Sequence, residues 1–177
     1  IREFMDITTA LSVERSHEML LRRLLTEAQS TAGSDGGVIY LFDKDRRVLK
    51  DADQHWNRSA ETEAVNLPRL SVQEVDNPVV HAALTTTKPD VYPLAPERPA
   101  GLEYLDGHFG RIPLILLTVP LFDRSGDPIG VLCLFQQGSA LPPSPEQLAL
   151  VQAFASAGAV AIGSQRLLSS QKALINS

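Results

Sequence analysis

The chain has 177 residues, of which 44% are hydrophobic and 21% charged, which suits one domain with a sizeable core. Its net charge is −5 and its sequence pI is near 5.3, so no basic field favours nucleic acid or an anionic membrane surface. A single cysteine excludes an intramolecular disulfide framework and favours a reducing compartment, so we expect a cytoplasmic protein.

Two helices are predicted at the N-terminal end of the chain. The first covers residues 1–15 and has a narrow apolar stripe that suits a coiled-coil seam better than a broad core face. That stripe consists of Phe4, Ile7 and Leu11. Ser16 is a candidate N-cap for the second helix, and Gly33 is a typical C-terminal stop. Because the chain begins inside a predicted helix and without methionine, we expect it to be a piece of a longer protein.

A series of strands follows. Residues 36–42 predict a strand that is apolar on both faces, and residues 48–57 predict a more polar strand suited to a sheet edge. One short strand is expected near residues 65–67. Two further strands, over residues 112–122 and 129–137, are joined by the turn sequence Asp-Arg-Ser-Gly-Asp-Pro.

The middle of the chain predicts one helix and a long loop. Asn77 followed by Pro78 indicates an N-cap and a first helical residue, and Pro89 prevents this helix from continuing. Residues 93–111 are rich in proline and glycine and predict a loop with one helical turn at 102–105. Long loops in compact domains are often functional, so this segment is a candidate for ligand contacts.

A long C-terminal helix is predicted over residues 145–174, where Ser144 and Gln147 form a capping box. Residues 155–163 are unusually small and would allow a neighbouring helix to approach closely. Near the end, apolar residues recur every seven positions, as Val160, Leu167 and Leu174, and as Ala161, Leu168 and Ile175. We therefore predict a dimer seam formed by Phe4, Ile7, Leu11, Val160, Leu167, Leu168 and Leu174, although these residues could instead cover their own sheet.

The central strands alternate one apolar residue with another, which predicts a sheet that is covered on both faces. In the last strand, one face is expected to carry Ile129, Val131, Cys133 and Phe135, and the other Leu132 and Leu134. The helices at the chain ends are the expected cover of one face, and the middle helix with the long loop is the expected cover of the other. Such a cover either encloses a small-molecule cavity or simply closes a core, and the pattern leaves both open.

Taken in order, four stretches resemble a GAF domain, the small-molecule sensory module of cyclic-nucleotide enzymes, phytochromes and bacterial signalling proteins. They are AGSDGGVIYLFDKD, TTKPDVYPL, LLTVPLFDRSGDPIGVLCLF and AGAVAIGSQRLL, within a resemblance that runs from about Leu20 to Leu168. The resemblance implies an α+β fold with a central antiparallel sheet of about six strands. It also implies N- and C-terminal helices on one face, commonly paired in a parallel dimer, and a short helix, a loop and any ligand on the other.

We therefore expect a connecting helix over residues 1–15, a GAF domain over residues 16–165 and a helical extension toward an output domain over residues 166–177. The stretch DGGVIYLF, preceded by LLTEA, is most similar to GAF domains upstream of bacterial HD-type cyclic-di-nucleotide phosphodiesterases, and cyclases and histidine kinases carry similar modules. The expected function is non-catalytic sensing, with dimerisation and signal transmission through the terminal helices. The alternatives are a ligand-free dimerisation scaffold and a GAF-type reductase, which the single cysteine opposes.

Ten residues of the sheet and its cover are candidate ligand contacts, because they set aromatic and polar groups among apolar neighbours. They are Tyr40, Trp56, His81, Leu84, Tyr92, Tyr104, His108, Arg111, Thr118 and Cys133. Cys133 is expected to be an inert core residue, with a place in the pocket wall as the functional alternative. GAF domains that reduce methionine sulfoxide use several cysteines, and bilin-binding ones attach chromophore to a loop cysteine, so neither reading fits this chain.

No metal or catalytic centre is predicted. The four histidines form no H-x-x-H or H-E-x-x-H spacing, and the acidic residues between Asp43 and Asp53 are expected to be solvated surface. Cyclic-nucleotide-binding GAF domains carry an Asn-Lys, Phe, Asp-Glu signature that this sequence lacks. The sequence therefore requires no cofactor, and it leaves the identity of any ligand open.

Overall fold

The structure is a computed structural model that describes the backbone of residues 2–57 and 66–176 and the side chains of residues 16–57, 66–168 and 171. In chain order, the elements over these residues are α1 (Arg2–Ala32), β1 (Gly36–Phe42), β2 (Val48–Trp56), β3 (Leu70–Ser71), α2 (Pro78–Thr85), β4 (Asp90–Leu94), α3 (Leu105–Phe109), β5 (Leu114–Phe122), β6 (Pro128–Gln137) and α4 (Pro145–Asn176). The six strands form one antiparallel sheet in the order β3-β2-β1-β6-β5-β4. The predicted α+β class with a central antiparallel sheet is confirmed.

Three predicted elements have different limits in the structure. α1 is one continuous helix, so Ser16 lies within it and caps no second helix, since no proline or glycine interrupts the segment. The short strand is β3, whereas Leu67 lies in a loop and Val65 lies outside the described residues. The helical turn expected at 102–105 is displaced toward the C-terminus, where it forms α3.

The ends of α1 and α2 are fixed by residues that the sequence singles out. Gly33 ends α1 with a φ of 68°, and the backbone N–H of Ser34 donates to the carbonyl of Gln29 at 3.0 Å. This is the six-to-one bond of a Schellman motif, which needs a left-handed residue and therefore favours glycine. At the start of α2, the side chain of Asn77 accepts the backbone N–H of Val79 at 2.9 Å. Both caps confirm the predicted boundaries.

α1 and α4 lie side by side and antiparallel. The predicted capping box is reciprocal: the Ser144 N–H donates to Gln147 Oε1 at 2.8 Å, and the Gln147 N–H donates to Ser144 Oγ at 3.2 Å. The Gln147 amide also donates to the Thr31 carbonyl near the end of α1. Farther along, Gly158 faces Leu24, and a Cβ at this glycine would lie 3.0 Å from that side chain. This small residue therefore allows close packing within the chain.

Both faces of the sheet are buried, as predicted, but the two covers differ. The helix side, which α1 and α4 cover, is aliphatic, and its strand residues are Ile39, Leu41, Leu117, Val119, Leu121, Ile129, Leu132 and Leu134. The other face is the roof side, and its cover, the roof, consists of α2, residues 95–104 and α3. The strand residues of the roof side include aliphatic, aromatic and sulfur-containing side chains. Among them are Val38, Tyr40, Phe42, Leu49, Trp56, Leu114, Leu116, Val131, Cys133 and Phe135.

The prediction for Ile129 was wrong: it packs on the helix side and not with Val131. The pairing of β5 with β6 shifts between Leu121 and Phe122, so an extra residue enters β6 and the alternation changes face. The neighbouring Gly130 lies so close to β1 that a Cβ there would collide with the carbonyl oxygen of Tyr40. The two central strands can approach to this distance because the position is glycine.

The two edges of the sheet are poor templates for another strand. β3 has two residues, and β4 contains Pro93, which has no N–H to donate. The N–H of Val91, also in β4, is taken by Oδ1 of Asp90 at 3.0 Å. Two N–H groups of β4 are therefore missing or occupied, and β3 covers only Val48 and Leu49 of β2.

Within the described residues, the segment Pro145–Leu168 of α4 has the length and composition of a membrane-spanning helix, with a mean hydropathy of 1.4. Core helices of soluble proteins meet the same criterion, so this finding is weak evidence for a membrane. In the structure the segment packs on the sheet through Val151, Ala155, Ala159 and Ile162, all of which are buried.

Candidate ligand site under the roof

Six of the ten candidate ligand residues meet on the roof side. Four come from the sheet and two from the roof, and they are Tyr40, Trp56, Thr118, Cys133, Tyr104 and His108. The register sets Cys133 of β6 between Thr118 of β5 and Val38 of β1, so side chains from three strands converge there. The strands position the floor of the site, and α3 brings its own aromatic groups down onto it.

A pair of tyrosine hydroxyls joins the floor to the roof. The hydroxyl oxygens of Tyr40 and Tyr104 are 2.6 Å apart, which is a short hydrogen bond. Burial is the main cause that raises the pKa of both phenols, so both stay protonated at neutral pH. The negative charge of Asp51 raises both pKa values further, and partial burial raises the pKa of Asp51 itself. The site therefore combines two neutral hydroxyls with a nearby carboxylate.

Trp56 is the centre of the aromatic packing. The His108 ring stacks on it, with ring centroids 3.9 Å apart and planes at 12°, and the Phe135 ring stacks at 5.9 Å. Tyr104 and Phe109 meet its edges, at 6.2 and 6.0 Å. Partial burial lowers the pKa of His108, which favours a neutral imidazole in this stack.

Cys133 is fully buried in the floor of the site. Burial raises the pKa of its thiol, so the reactive thiolate is suppressed, and its environment is that of a packing residue. The side chain faces the roof and not α1 or α4, so the cover that it meets is the roof. Cys133 is therefore a packing residue on the floor of the candidate site.

The roof is held closed by Arg98, whose side chain is 1% exposed. Its guanidinium pairs with Asp106 at 3.1 Å and donates to the carbonyls of Ala95, Gly110 and Ile112. One buried cation thus ties both ends of the loop that carries α3. Since each of these acceptors would lose its partner, opening this loop requires the Arg98 contacts to break or rearrange.

The other four candidates lie away from these groups. His81 and Arg111 are exposed, and Leu84 is 43% exposed on the outer face of α2. The buried residues of α2 are instead Val79, Val80, Ala82 and Ala83. Tyr92 packs partly against the roof-side cluster, but its hydroxyl donates to Asp90 on the edge strand. His81 and Tyr92 both line a separate open cleft of about 490 Å³.

Three residues of the site were not among the sequence candidates. Asp51 was expected to be solvated surface, yet it faces the tyrosine pair, and Gln54 Oε1 accepts the indole N–H of Trp56 at 3.0 Å. A register shift in β2 opposite Ile39 and Tyr40 brings both residues to the roof side, although their sequence spacing is odd. A bulge of this kind leaves no signature in simple alternation. Arg98 had no signal, because its partners are carbonyls from distant parts of a loop.

The predicted dimer residues are described in part. Val160 is half-buried, and Leu167 and Leu168 are 61% and 54% exposed on α4. Phe4, Ile7 and Leu11 lie on α1 and Leu174 on α4, but their side chains lie outside the described residues. The seam remains a prediction.

The candidate site consists of neutral polar groups, one carboxylate and aromatic rings. Among the described residues, no group of three His, Cys, Asp or Glu side chains could hold a metal ion. The polar groups on the roof side are neutral hydroxyls, an amide and one carboxylate, all beside aromatic rings. Groups of this kind recognise a ligand by hydrogen bonds and stacking.

The architecture, a six-stranded antiparallel sheet between paired terminal helices and an irregular roof, defines an α+β domain whose sheet is covered on both faces. The family model "GAF domain" matches residues 16–162, so the chain belongs to the GAF family. GAF domains are sensory domains of bacterial signalling proteins, generally regulatory, and they occur together with output domains. No curated protein matches this chain.

Three solved structures illustrate the similarity. The second GAF domain of DevS from Mycobacterium smegmatis is 25% identical, with a TM-score of 0.62 over 89% of this chain and 99% of that one. A GAF domain/HD domain protein from Geobacter sulfurreducens is 18% identical, with a TM-score of 0.62 over 85% of this chain and 94% of that one. The blue-light absorbing form of the PixJ GAF domain from Thermosynechococcus elongatus is 15% identical, with a TM-score of 0.61 over 94% and 96%. The last two show the fold alone.

Proposed function

We propose that this chain is a non-catalytic sensory domain that binds a small molecule between the sheet and the roof. The observation that carries the proposal is the hydroxyl pair of Tyr40 and Tyr104 beside Asp51, set into an otherwise apolar interior. Polar groups in a core cost free energy when they lose partners, so such a cluster favours a role beyond packing. The aromatic rings around Trp56 add a stacking surface.

The interior under the roof is filled by the chain's own side chains, so a ligand would enter by displacing part of the roof. α3 is the element to move, because it has five residues and is followed by Gly110 at a φ of 76°. Displacement would free one face of Trp56 and the Tyr40 hydroxyl for the ligand. Ligand binding would then select the displaced conformation of the roof over the closed one.

Ligand binding is tested by thermal shift against a panel of metabolites, followed by fluorescence titration of Trp56, the only tryptophan in the chain. A ligand of the site should raise the unfolding temperature and change the Trp56 emission. Tyr104→Phe should weaken binding at least about threefold through the lost hydroxyl. Tyr92→Phe is the matched control, since that hydroxyl bonds to Asp90 away from the site. A panel without any hit, or equal losses in both variants, would contradict the ligand proposal.

We further propose that the domain forms a homodimer through its terminal helices and transmits a signal along them to an output domain. The exposed Leu167 and Leu168 support this part, because they follow Ile162, the last buried residue among the described side chains of α4. Sedimentation should show a dimer that Leu168→Glu weakens at least about tenfold, since a charge would enter the apolar seam. Leu141→Glu, at another exposed leucine, should leave the dimer intact. A monomeric wild-type chain at high concentration would refute the seam.

A ligand-free dimerisation scaffold is the second candidate function. The observation that favours it is the filled interior, where His108 already occupies one face of Trp56. This function predicts a dimer without any ligand in the thermal-shift panel. The whole protein is proposed to be a cytoplasmic bacterial signalling enzyme, with an HD-type phosphodiesterase, a cyclase or a histidine kinase as output.

A further inference from the structure

One side chain joins the C-terminal part of α4, residues 163–176, to the sheet. We call this part the exit half of α4. Nη2 of Arg166 donates to the backbone carbonyl of Phe42, the last residue of β1, at 3.1 Å. The pairing of β1 with β6 ends one residue earlier, at Leu41 and Gly130, so this carbonyl has no strand partner on that side. A charged donor on an otherwise unpaired carbonyl makes a strong hydrogen bond, which we call the latch.

The latch marks the point where α4 leaves the body of the domain. One turn earlier, Gly163 packs against the β5–β6 turn, and a Cβ there would lie 3.1 Å from Cβ of Asp123. Immediately after Arg166, Leu167 and Leu168 are largely exposed. Among the described side chains of this part of α4, Arg166 therefore supplies a polar contact with the sheet.

The same strand also carries Tyr40, whose hydroxyl is hydrogen-bonded to Tyr104 in the roof. Tyr40 lies two residues before Phe42 on the same face of β1, and it is fully buried beneath Tyr104. A close-packed, buried strand does not deform continuously, so a shift that accompanies a change at Tyr40 is felt at the carbonyl of Phe42. β1 thus joins the roof to α4 by two hydrogen bonds only a few residues apart.

We infer that the Tyr40–Tyr104 contact and the latch are energetically coupled through β1, so that opening the roof loosens the exit half of α4. The inference rests on the proposed function for its meaning, because α4 is there the path of the signal. Coupling of this kind is reciprocal, so a broken latch should also loosen the roof. Both directions can be measured on the chain without any ligand.

The first direction is measured by hydrogen exchange of the amides in residues 163–176 of the 177-residue chain. Arg166→Ala should raise their exchange about three- to tenfold, and Tyr104→Phe should raise it at least about twofold. In the double variant, the increase in exchange should differ at least about twofold from the product of the two single-variant increases. Arg124→Ala is the control, since it removes an exposed arginine from the nearby turn. If Arg166→Ala does not fold, Arg166→Lys replaces it in the same comparison.

The reverse direction is measured at Trp56 by acrylamide quenching. Arg166→Ala should raise its quenching constant, and Arg124→Ala should leave it unchanged. The inference is overturned if Tyr104→Phe leaves the exchange of α4 unchanged, if the two factors multiply, or if Trp56 does not respond to the latch. A chain that binds no metabolite yet shows coupling refutes the proposed function alone. A chain that binds one without coupling refutes this inference alone.

Discussion

The two sides of the sheet are built from the same strands but from different chemistry. On the helix side, two long helices bury aliphatic side chains against alternating strand residues. On the roof side, short elements and a loop bury tyrosines, a tryptophan and a thiol, with a half-buried carboxylate at the margin. Aliphatic packing is tolerant in chemistry but demanding in shape, whereas a polar interior depends on each hydrogen-bond partner. The helix side is therefore suited to holding the fold, and the roof side to responding to what binds.

The largest expected effect falls on the strands that both sides share. Gly130→Ala should lower the free energy of unfolding by more than about 4 kcal/mol or prevent folding, because the new methyl group meets the backbone of Tyr40. Gly107→Ala in α3 is the control, since nothing lies within 4 Å of its Cβ position. Urea unfolding measures both. A Gly130→Ala protein of wild-type stability would show that β1 and β6 can move apart at this point. It would contradict the claim that both sides of the sheet depend on this close contact.

The next effect compares one fully buried leucine from each side. Leu25→Ala on the helix side should lower the free energy of unfolding by about 3–5 kcal/mol, because long packed helices cannot close the cavity. Leu105→Ala in the roof should cost about 2–3 kcal/mol, because a short helix on a loop relaxes more easily. Urea unfolding gives both values, and Trp56 fluorescence should change only for Leu105→Ala. The reverse order of costs would remove the distinction between the sides.

Two arginines offer the same comparison for ion pairs. Arg98→Gln should lower the free energy of unfolding by about 2–3 kcal/mol, because the buried guanidinium and its bonds to Asp106 and three carbonyls are lost. Arg22→Gln should cost less than about 1 kcal/mol, since its pair with Asp53 on the helix side is half exposed. Thermal unfolding of the two variants, with the wild type beside them, measures the difference. Equal costs would mean that the roof does not depend on Arg98.

Tyr104→Phe should lower the free energy of unfolding by about 1–2 kcal/mol, because the buried Tyr40 hydroxyl loses its partner. Alkaline pH extends this test. The folded-state pKa values of both phenols are raised, so the folded chain keeps protons that the unfolded chain loses above about pH 10. Stability should therefore fall as the pH rises above 10, and the double variant Tyr40→Phe/Tyr104→Phe should show a shallower fall. An unchanged slope would contradict the buried pair.

The smallest expected effect belongs to His108. Its pKa is lowered in the folded chain, so below about pH 6.5 the unfolded chain binds more protons than the folded one. Stability therefore decreases as the pH is lowered. His108→Phe keeps a ring on Trp56 and should remove part of the loss between pH 7 and 5.5. Asp51 has a raised pKa and contributes with the opposite sign, so the wild type and His108→Phe, which both keep Asp51, are compared at the same two pH values. The measurement is the unfolding midpoint of the wild type and of His108→Phe at pH 7 and at pH 5.5.

The helix side could be predicted from the sequence better than the roof side, and the reason is physical. Periodicity and caps are local, so Gly33 and the box at Ser144 are recognisable in the sequence alone, as is Asn77 at the start of α2 in the roof. The roof depends on contacts between residues far apart in sequence, such as Arg98 with the carbonyl of Ile112. Two register shifts, in β2 and β6, also change which residues share a face, and alternation alone does not reveal them.

The edges of the sheet have a consequence for how copies of this domain can meet. Pro93 and the occupied N–H of Val91 leave β4 without the donors that lateral growth requires, and β3 is too short to supply them. Addition of a strand at the β4 edge is therefore disfavoured. A dimer through the terminal helices, as proposed above, would need no strand pairing and could change its helix register without breaking the sheet.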